Sequence, residues 1–140
     1  MNYLEDVVTY LKTEIFPRAD TPSVSIYLEN FSKIEGENQI VVMSEPSSVD
    51  RNSPVVRIKF GVYCRHSTTP TAREWCDKVW LSLNNKIGKL DLVSTNVFHC
   101  IKVINPTYFY GNEANRTMYF CNFEAVLIEP KIKTYQLNSI

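Results

Sequence analysis

The sequence predicts one α+β domain: an antiparallel sheet of about four to five strands, two main helices packed on one face, and a long hairpin loop. Three observations point there. Leu4, Val7, Val8, Leu11 and Ile15 recur at helical spacing near the start of the chain. The run from Val55 to Arg65 alternates with period two. A second amphipathic stretch begins at Ala72 directly after it. The 140 residues suit one domain with one core, placed at 1–130, with 131–140 as a mixed polar tail after Pro130. The hydrophobic fraction of 44% is that of a folded chain, since a disordered one is poorer in apolar residues.

The first helix is expected over residues 2–16, where Pro17 ends the pattern. Val24, Ile26 and Leu28 then alternate with Ser25 and Tyr27, as a strand requires. The polar stretch Ser32 to Asn38 reads as a turn, and Gln39 to Ser44, rich in β-branched residues, as a second strand paired with the first in a hairpin. Glu45 to Pro54 holds two prolines and three serines and reads as a loop, long enough to have a task of its own.

Val55 to Arg65 is the clearest strand. Val56, Ile58, Phe60, Val62 and Cys64 share one face; Arg57, Lys59, Gly61, Tyr63 and Arg65 share the other. The first face should pack on a core and the second should meet water or a partner. Thr69 is the expected N-cap of the next helix, with Pro70 at its first position. Ala72, Trp75, Cys76, Val79, Trp80, Leu83 and Ile87 give that helix a wide apolar face, and Gly88 is its expected stop. Val97 to Ile104 reads as a strand stopped by Asn105-Pro106, and Met118 to Ile128 as the last strand. The loop between them, Thr107 to Thr117, carries Tyr108, Phe109, Tyr110, Gly111 and Asn112. The three late strands should be antiparallel neighbours, because their two faces differ in polarity.

Charge and motifs exclude more than they identify. Fifteen basic residues balance fifteen acidic ones, whereas a dedicated nucleic-acid binder carries a basic excess. No apolar run reaches the roughly 18–20 residues needed to span a bilayer, so no membrane partner is expected. The first residues show no basic start and no apolar block, so no secretory signal is expected and the chain is placed in the cytoplasm of the cell that makes it. Cys64, Cys76, Cys100 and Cys121 form no Cys-x-x-Cys pair and should be reduced and buried.

Cys64 and His66 could form a nucleophile and base, being two apart at a strand end, but no orienting carboxylate or oxyanion-hole pattern accompanies them. His99 and Cys100 are adjacent on a strand and point to opposite faces. Glu35 and Glu37 flank Gly36 in a solvated turn, the four glycines form no phosphate loop, and the Asn-x-Ser/Thr triplets at Asn30 and Asn115 carry no meaning without secretion. No catalytic residue, metal or cofactor is therefore assigned. Two surface features remain. One is the strand face of Arg57, Lys59, Tyr63 and Arg65, read as either a solvated face or a contact surface. The other is the Tyr108-Phe109-Tyr110 run, at least one of which should be exposed or packed on a partner.

Taken with these residues, the order of elements resembles the tail terminator proteins of long-tailed bacteriophages, including the related minor capsid or head–tail joining proteins. The resemblance covers roughly residues 2–129. It rests on the N-terminal amphipathic helix of Leu4 to Ile15, and on the Val55–Arg65 strand leading through Thr69-Pro70 into the helix of Ala72 and Trp75. It also rests on the Ile104-Asn105-Pro106 strand end, and on the turn with Gly111, Asn112 and Arg116 feeding Tyr119-Phe120-Cys121-Asn122-Phe123. The resemblance implies a virion structural protein without enzymatic activity, found in the tail at the head–tail junction. Six copies would form a ring that stops tube polymerisation, with the tail tube protein and the head–tail connector protein as its other partners. DNA could pass through the ring without being read in sequence. Glu45, Asp50 and Arg51 in the long loop, the aromatic run with Arg116, and the tail would be the bridging elements. Rival readings are another connector or tail component of similar fold, a small cytosolic enzyme or ligand-binding domain, and a nucleic-acid binder using Arg57, Lys59, Arg65 and the aromatics.

Overall fold

A computed structural model of the chain describes residues 3–17, 24–31, 38–46, 55–91, 94, 96–113 and 116–128. The expectations placed on Glu35 to Glu37, Asp50, Arg51, Asn115 and the tail lie outside those residues. The elements are α1 (Tyr3–Tyr10) widening into a π turn (Leu11–Ile15), β1 (Ser25–Leu28), β2 (Gln39–Glu45), β3 (Val55–His66), α2 (Thr69–Leu83), β4 (Phe98–Glu113) and β5 (Arg116–Ile128). The five strands make one sheet in the order β1-β2-β3-β5-β4, and the class is α+β as expected.

Both helices lie on the face that β3 presents through Val56, Phe60, Val62 and Cys64. Leu4, Val7 and Leu11 from the first helix and Trp75, Cys76, Val79 and Leu83 from the second join these residues in one buried cluster. Phe60 and Phe123 stack at its centre, 5.1 Å between ring centroids. The π turn closes with the Phe16 amide donating to the Leu11 carbonyl at 2.8 Å, and Leu11, Ile15 and Phe16 are all buried.

Four sequence expectations need correction. The first two strands are not a hairpin: β1 and β2 pair in parallel, Ser25 opposite Gln39 and Leu28 opposite Val42. Alternation places Ile26, Leu28, Ile40 and Val42 on one face whichever way a strand runs, so the pattern is blind to direction. Gln39, the first residue of β2, therefore stands level with Ser25, the first residue of β1. The helix from Ala72 ends at Leu83, not Ile87. Asn85 takes a left-handed conformation (φ 66°) that asparagine tolerates, and Ile87 is 73% exposed. The N-cap is Thr68, one residue earlier than expected, which leaves Pro70 in the first turn.

The last correction matters most for function. The late strand does not stop at Asn105-Pro106; β4 continues to Glu113 as the partner of β5. Proline cannot donate to a ladder, but it is tolerated on an edge strand and at a bulge, and Pro106 occupies both. Just before it, the Asn105 amide donates to the Asn122 Oδ1 at 3.0 Å and keeps the strand tied to β5. Thr107 then anchors the strand to α2: its hydroxyl donates to Asp77 and accepts from Trp80 Nε1 at 2.9 Å.

A buried carboxylate fixes the start of α1. The Ser94 hydroxyl donates to Asp6 Oδ2 at 2.7 Å, and Asn96 Nδ2 donates to the same oxygen at 3.1 Å. Asp6→Ala removes the acceptor that both share and is expected to lower stability by about 1–3 kcal/mol. Urea unfolding followed by circular dichroism checks this; a loss below about 0.5 kcal/mol, the range of an ordinary surface change, would contradict it.

Candidate interaction surface

The face of the sheet away from the helices carries the predicted contact residues. Register aligns Lys59 with Glu45 on one side and Glu124 on the other, Tyr63 with Val41 and Phe120, and Arg65 with Gln39 and Met118. The face is not a plain solvated one. Gln39 and Val41 are buried, and five aromatic rings cover its centre. Tyr63 stacks on Phe120 at 5.2 Å, and Tyr110 meets both rings edge-on at 5.4 and 5.8 Å. Tyr108 meets Phe120 edge-on at 5.0 Å, and Phe31 lies 6.2 Å from Tyr63. Gly61 makes room here, since a Cβ on it would sit 3.2 Å from Cε1 of Tyr63. Burial, then the charge of Glu45 and the neighbouring Tyr110, raise the pKa of the Tyr63 phenol above its ordinary value.

The structure therefore brings Tyr63, Tyr108, Tyr110 and Arg65 together, with the Arg65 guanidinium over the Phe31 ring at 4.8 Å. Arg57 stands apart, exposed and 3.5 Å from Glu124, a pair worth little at a surface. Lys59 is exposed beside it, Glu45 and Arg116 are half-buried, and Phe109 points the other way, toward Tyr119 on the helix side at 5.6 Å. Sequence reading missed Phe120 and Phe31. In the sequence Phe120 figures only within the closing strand Tyr119 to Phe123, and Phe31 follows the end of β1.

Past Val103, β4 and the start of β5 form an arm with aromatic side chains on both faces. Tyr108, Phe109 and Tyr110 are 56%, 51% and 59% exposed, and Ile104 is exposed beside them. Sequence reading required one exposed ring; the arm exposes three.

No family model and no curated protein matches this chain. The geometry alone therefore decides what chemistry the chain can perform. Cys64 and His66 do share the helix face, but they form no dyad. The His66 Nδ1 accepts from the Thr68 amide at 2.9 Å, and its ring stands edge-on to Trp75 at 4.8 Å. The Cys64 thiol pairs instead with Cys76, which also contacts Cys121. Burial drives the pKa values of Cys64 and Cys121 up, while the Cys121 and Cys64 thiols stabilise charge on Cys76 and lower its pKa. All three are fully buried, so a water-borne substrate does not reach them. Among the described residues no group of three or more His, Cys, Asp or Glu side chains is placed to hold a metal ion, and no helix is long and apolar enough to cross a membrane. Two surface depressions of about 280 and 420 Å³ are lined by residues of α1, β1, β2 and β3, and neither includes Cys64 or His66.

His66 gives the fold a predicted pH response. Burial, then the Arg116 charge, lower its folded-state pKa below the ordinary histidine value of 6.5. The unfolded chain then binds more protons just below pH 6.5, so stability is complete above that pH and declines as pH falls toward the folded pKa. Thermal melts between pH 5 and 7.5 should show this slope, reduced in His66→Phe; an equal slope in both proteins would assign the effect to other groups.

Proposed function

We propose that the chain is a non-enzymatic building block of a protein assembly, and specifically a ring-forming tail terminator that caps the tail tube of a long-tailed bacteriophage and meets the head connector. The observation that carries the reading is the arm: three consecutive aromatics and Ile104 stand exposed on one hairpin. Exposed apolar clusters of this kind mark contact surfaces. The reading also draws on the order of elements, from the N-terminal amphipathic helix through the Thr69-Pro70 helix start to the closing strand at Tyr119 to Phe123. The same surface suits another head–tail connector or tail component. The nucleic-acid reading gains less support, because Glu45 and Glu124 flank Lys59 and Arg57, and Arg65 is spent on Phe31.

Tail assembly with and without this chain tests the reading. A terminator leaves overlong tubes when absent, whereas tubes of normal length would overturn it. Tyr110→Ala should cost less than about 1.5 kcal/mol, since the ring is mostly exposed, yet impair assembly. Loss of fold with assembly retained would reverse the assignment.

A further inference from the structure

We infer that copies of this chain join side by side as one extended sheet, the aromatic arm of one docking on the β1 edge of the next, with Phe109 entering the groove between β1 and α1. This deepens the assembly reading above and rests on it only for the premise that copies meet.

The open edges decide where copies can join. β1 and β4 are the outermost strands. The first half of β4 is already covered on its outer side. The Asn85 amide donates to Ile101, the Ile101 amide to Lys86, and Gly88 and Phe98 exchange two bonds of 2.7 and 2.9 Å. The Val103 amide donates to Asn84 Oδ1 at 3.0 Å. Beyond Val103, among the described residues, no strand lies outside β4, and none lies outside β1. An open edge bordered by exposed aromatics is a template for another chain.

Register then shows that the two open edges are level. Phe109 lies opposite Tyr119, Tyr119 opposite Cys64, Cys64 opposite Ile40 and Ile40 opposite Ile26. The neighbouring row runs from Tyr108 through Phe120, Tyr63 and Val41 to Tyr27. The arm thus stands at the height of β1, and repeating the subunit sideways without sliding it sets Phe109 beside Ile26. Direction agrees as well. β1 is parallel to β2, and three antiparallel steps lead from β2 to β4, so β4 runs opposite to β1. A neighbour in the same orientation offers its β1 antiparallel to the arm. Such a contact is head-to-tail, the kind that closes into a ring when its rotation allows.

The side chains match the backbone. In a continued sheet the faces stay in register, so Phe109, on the helix side with Tyr119, meets the helix side of the next β1. A groove of about 420 Å³ lies there, its apolar wall made by Val8, Ile26 and Leu28. The three exposed rings bring roughly 250–400 Å² to the contact. That is a large share of the ~800 Å² that one partner contributes to a standard interface, and the strand edge adds more.

Sedimentation velocity on the full chain tests this. The wild type should self-associate with concentration, and Phe109→Asp and Val8→Asp should each weaken association at least ~10-fold. Mixing the two variants should restore dimers and nothing larger, because one intact arm meets one intact groove. A monomeric wild type, an unaffected Phe109→Asp, or a mixture that stays monomeric would overturn the inference. Because Val8 is half-buried, circular dichroism must show both variants folded, and a benzophenone side chain at position 109 provides an independent readout. Its cross-links should map to residues 5–12 or 25–28 of a second copy. Cross-links from arm to arm would overturn this interface while leaving the terminator reading to the tube-length assay.

Discussion

Replacing Trp75 by alanine is expected to lower stability by about 3–5 kcal/mol, the range for removing a buried large aromatic from a core. Trp75 is buried on α2 and fastens three segments at once. Its ring meets Phe16 edge-on at 5.9 Å, holding the end of the first helix, and meets His66 at 4.8 Å, holding the end of β3. It also lies within the cluster that fills the space between α2 and the sheet. The cavity left by alanine cannot close easily, because Phe16 is tied by its amide to Leu11 and His66 by its ring nitrogen to Thr68. Trp80 makes the contrast. It is half-buried, and its indole nitrogen donates to Thr107 and Asp77, so its role is to fasten the arm to the helix. Equilibrium urea unfolding measures the Trp75→Ala loss directly. A loss below about 1 kcal/mol would mean that α2 presents a different face to the sheet.

The sequence displayed this packing because the core is written in periodicities. Val56, Phe60, Val62 and Cys64 on β3 and Cys121, Phe123, Ala125 and Leu127 on β5 are buried where alternation places them. What periodicity cannot carry is direction, edge position and partnership. The β1–β2 pair is parallel, and the alternation within either strand reads the same in both directions. Asn105-Pro106 reads as a terminator only if the strand is central; on an edge, with Asn122 supplying an acceptor and Thr107 held by Asp77, the strand runs through it. The candidate surface was legible in part for the same reason. Three adjacent aromatics advertise exposure wherever they fall. That Tyr108 and Tyr110 would lean on Phe120 and Tyr63 while Phe109 turns toward Tyr119 follows only once residues 107–113 are known to be strand.

The stacked pair Phe60 and Phe123 should produce the other large effect. Both rings are fully buried, lie on adjacent strands in direct register, and stack at 5.1 Å with their planes 23° apart. Each single change to alanine is expected to cost about 3–5 kcal/mol. The double mutant should cost less than the sum, because removing either ring already forfeits the contact between them. A stacked aromatic pair is worth about 0.5–1.5 kcal/mol beyond its buried area, and the double-mutant cycle should return a coupling of that size. Phe60→Leu provides the control: it keeps most of the volume, so it should cost well under the alanine value while abolishing the stacking. Since such losses rival the whole stability of a domain this size, the cycle is best measured by chemical denaturation at low temperature. Strict additivity of Phe60→Ala and Phe123→Ala would show that the two rings do not touch in solution, and that the central row of the sheet is offset by at least one residue from the register found here.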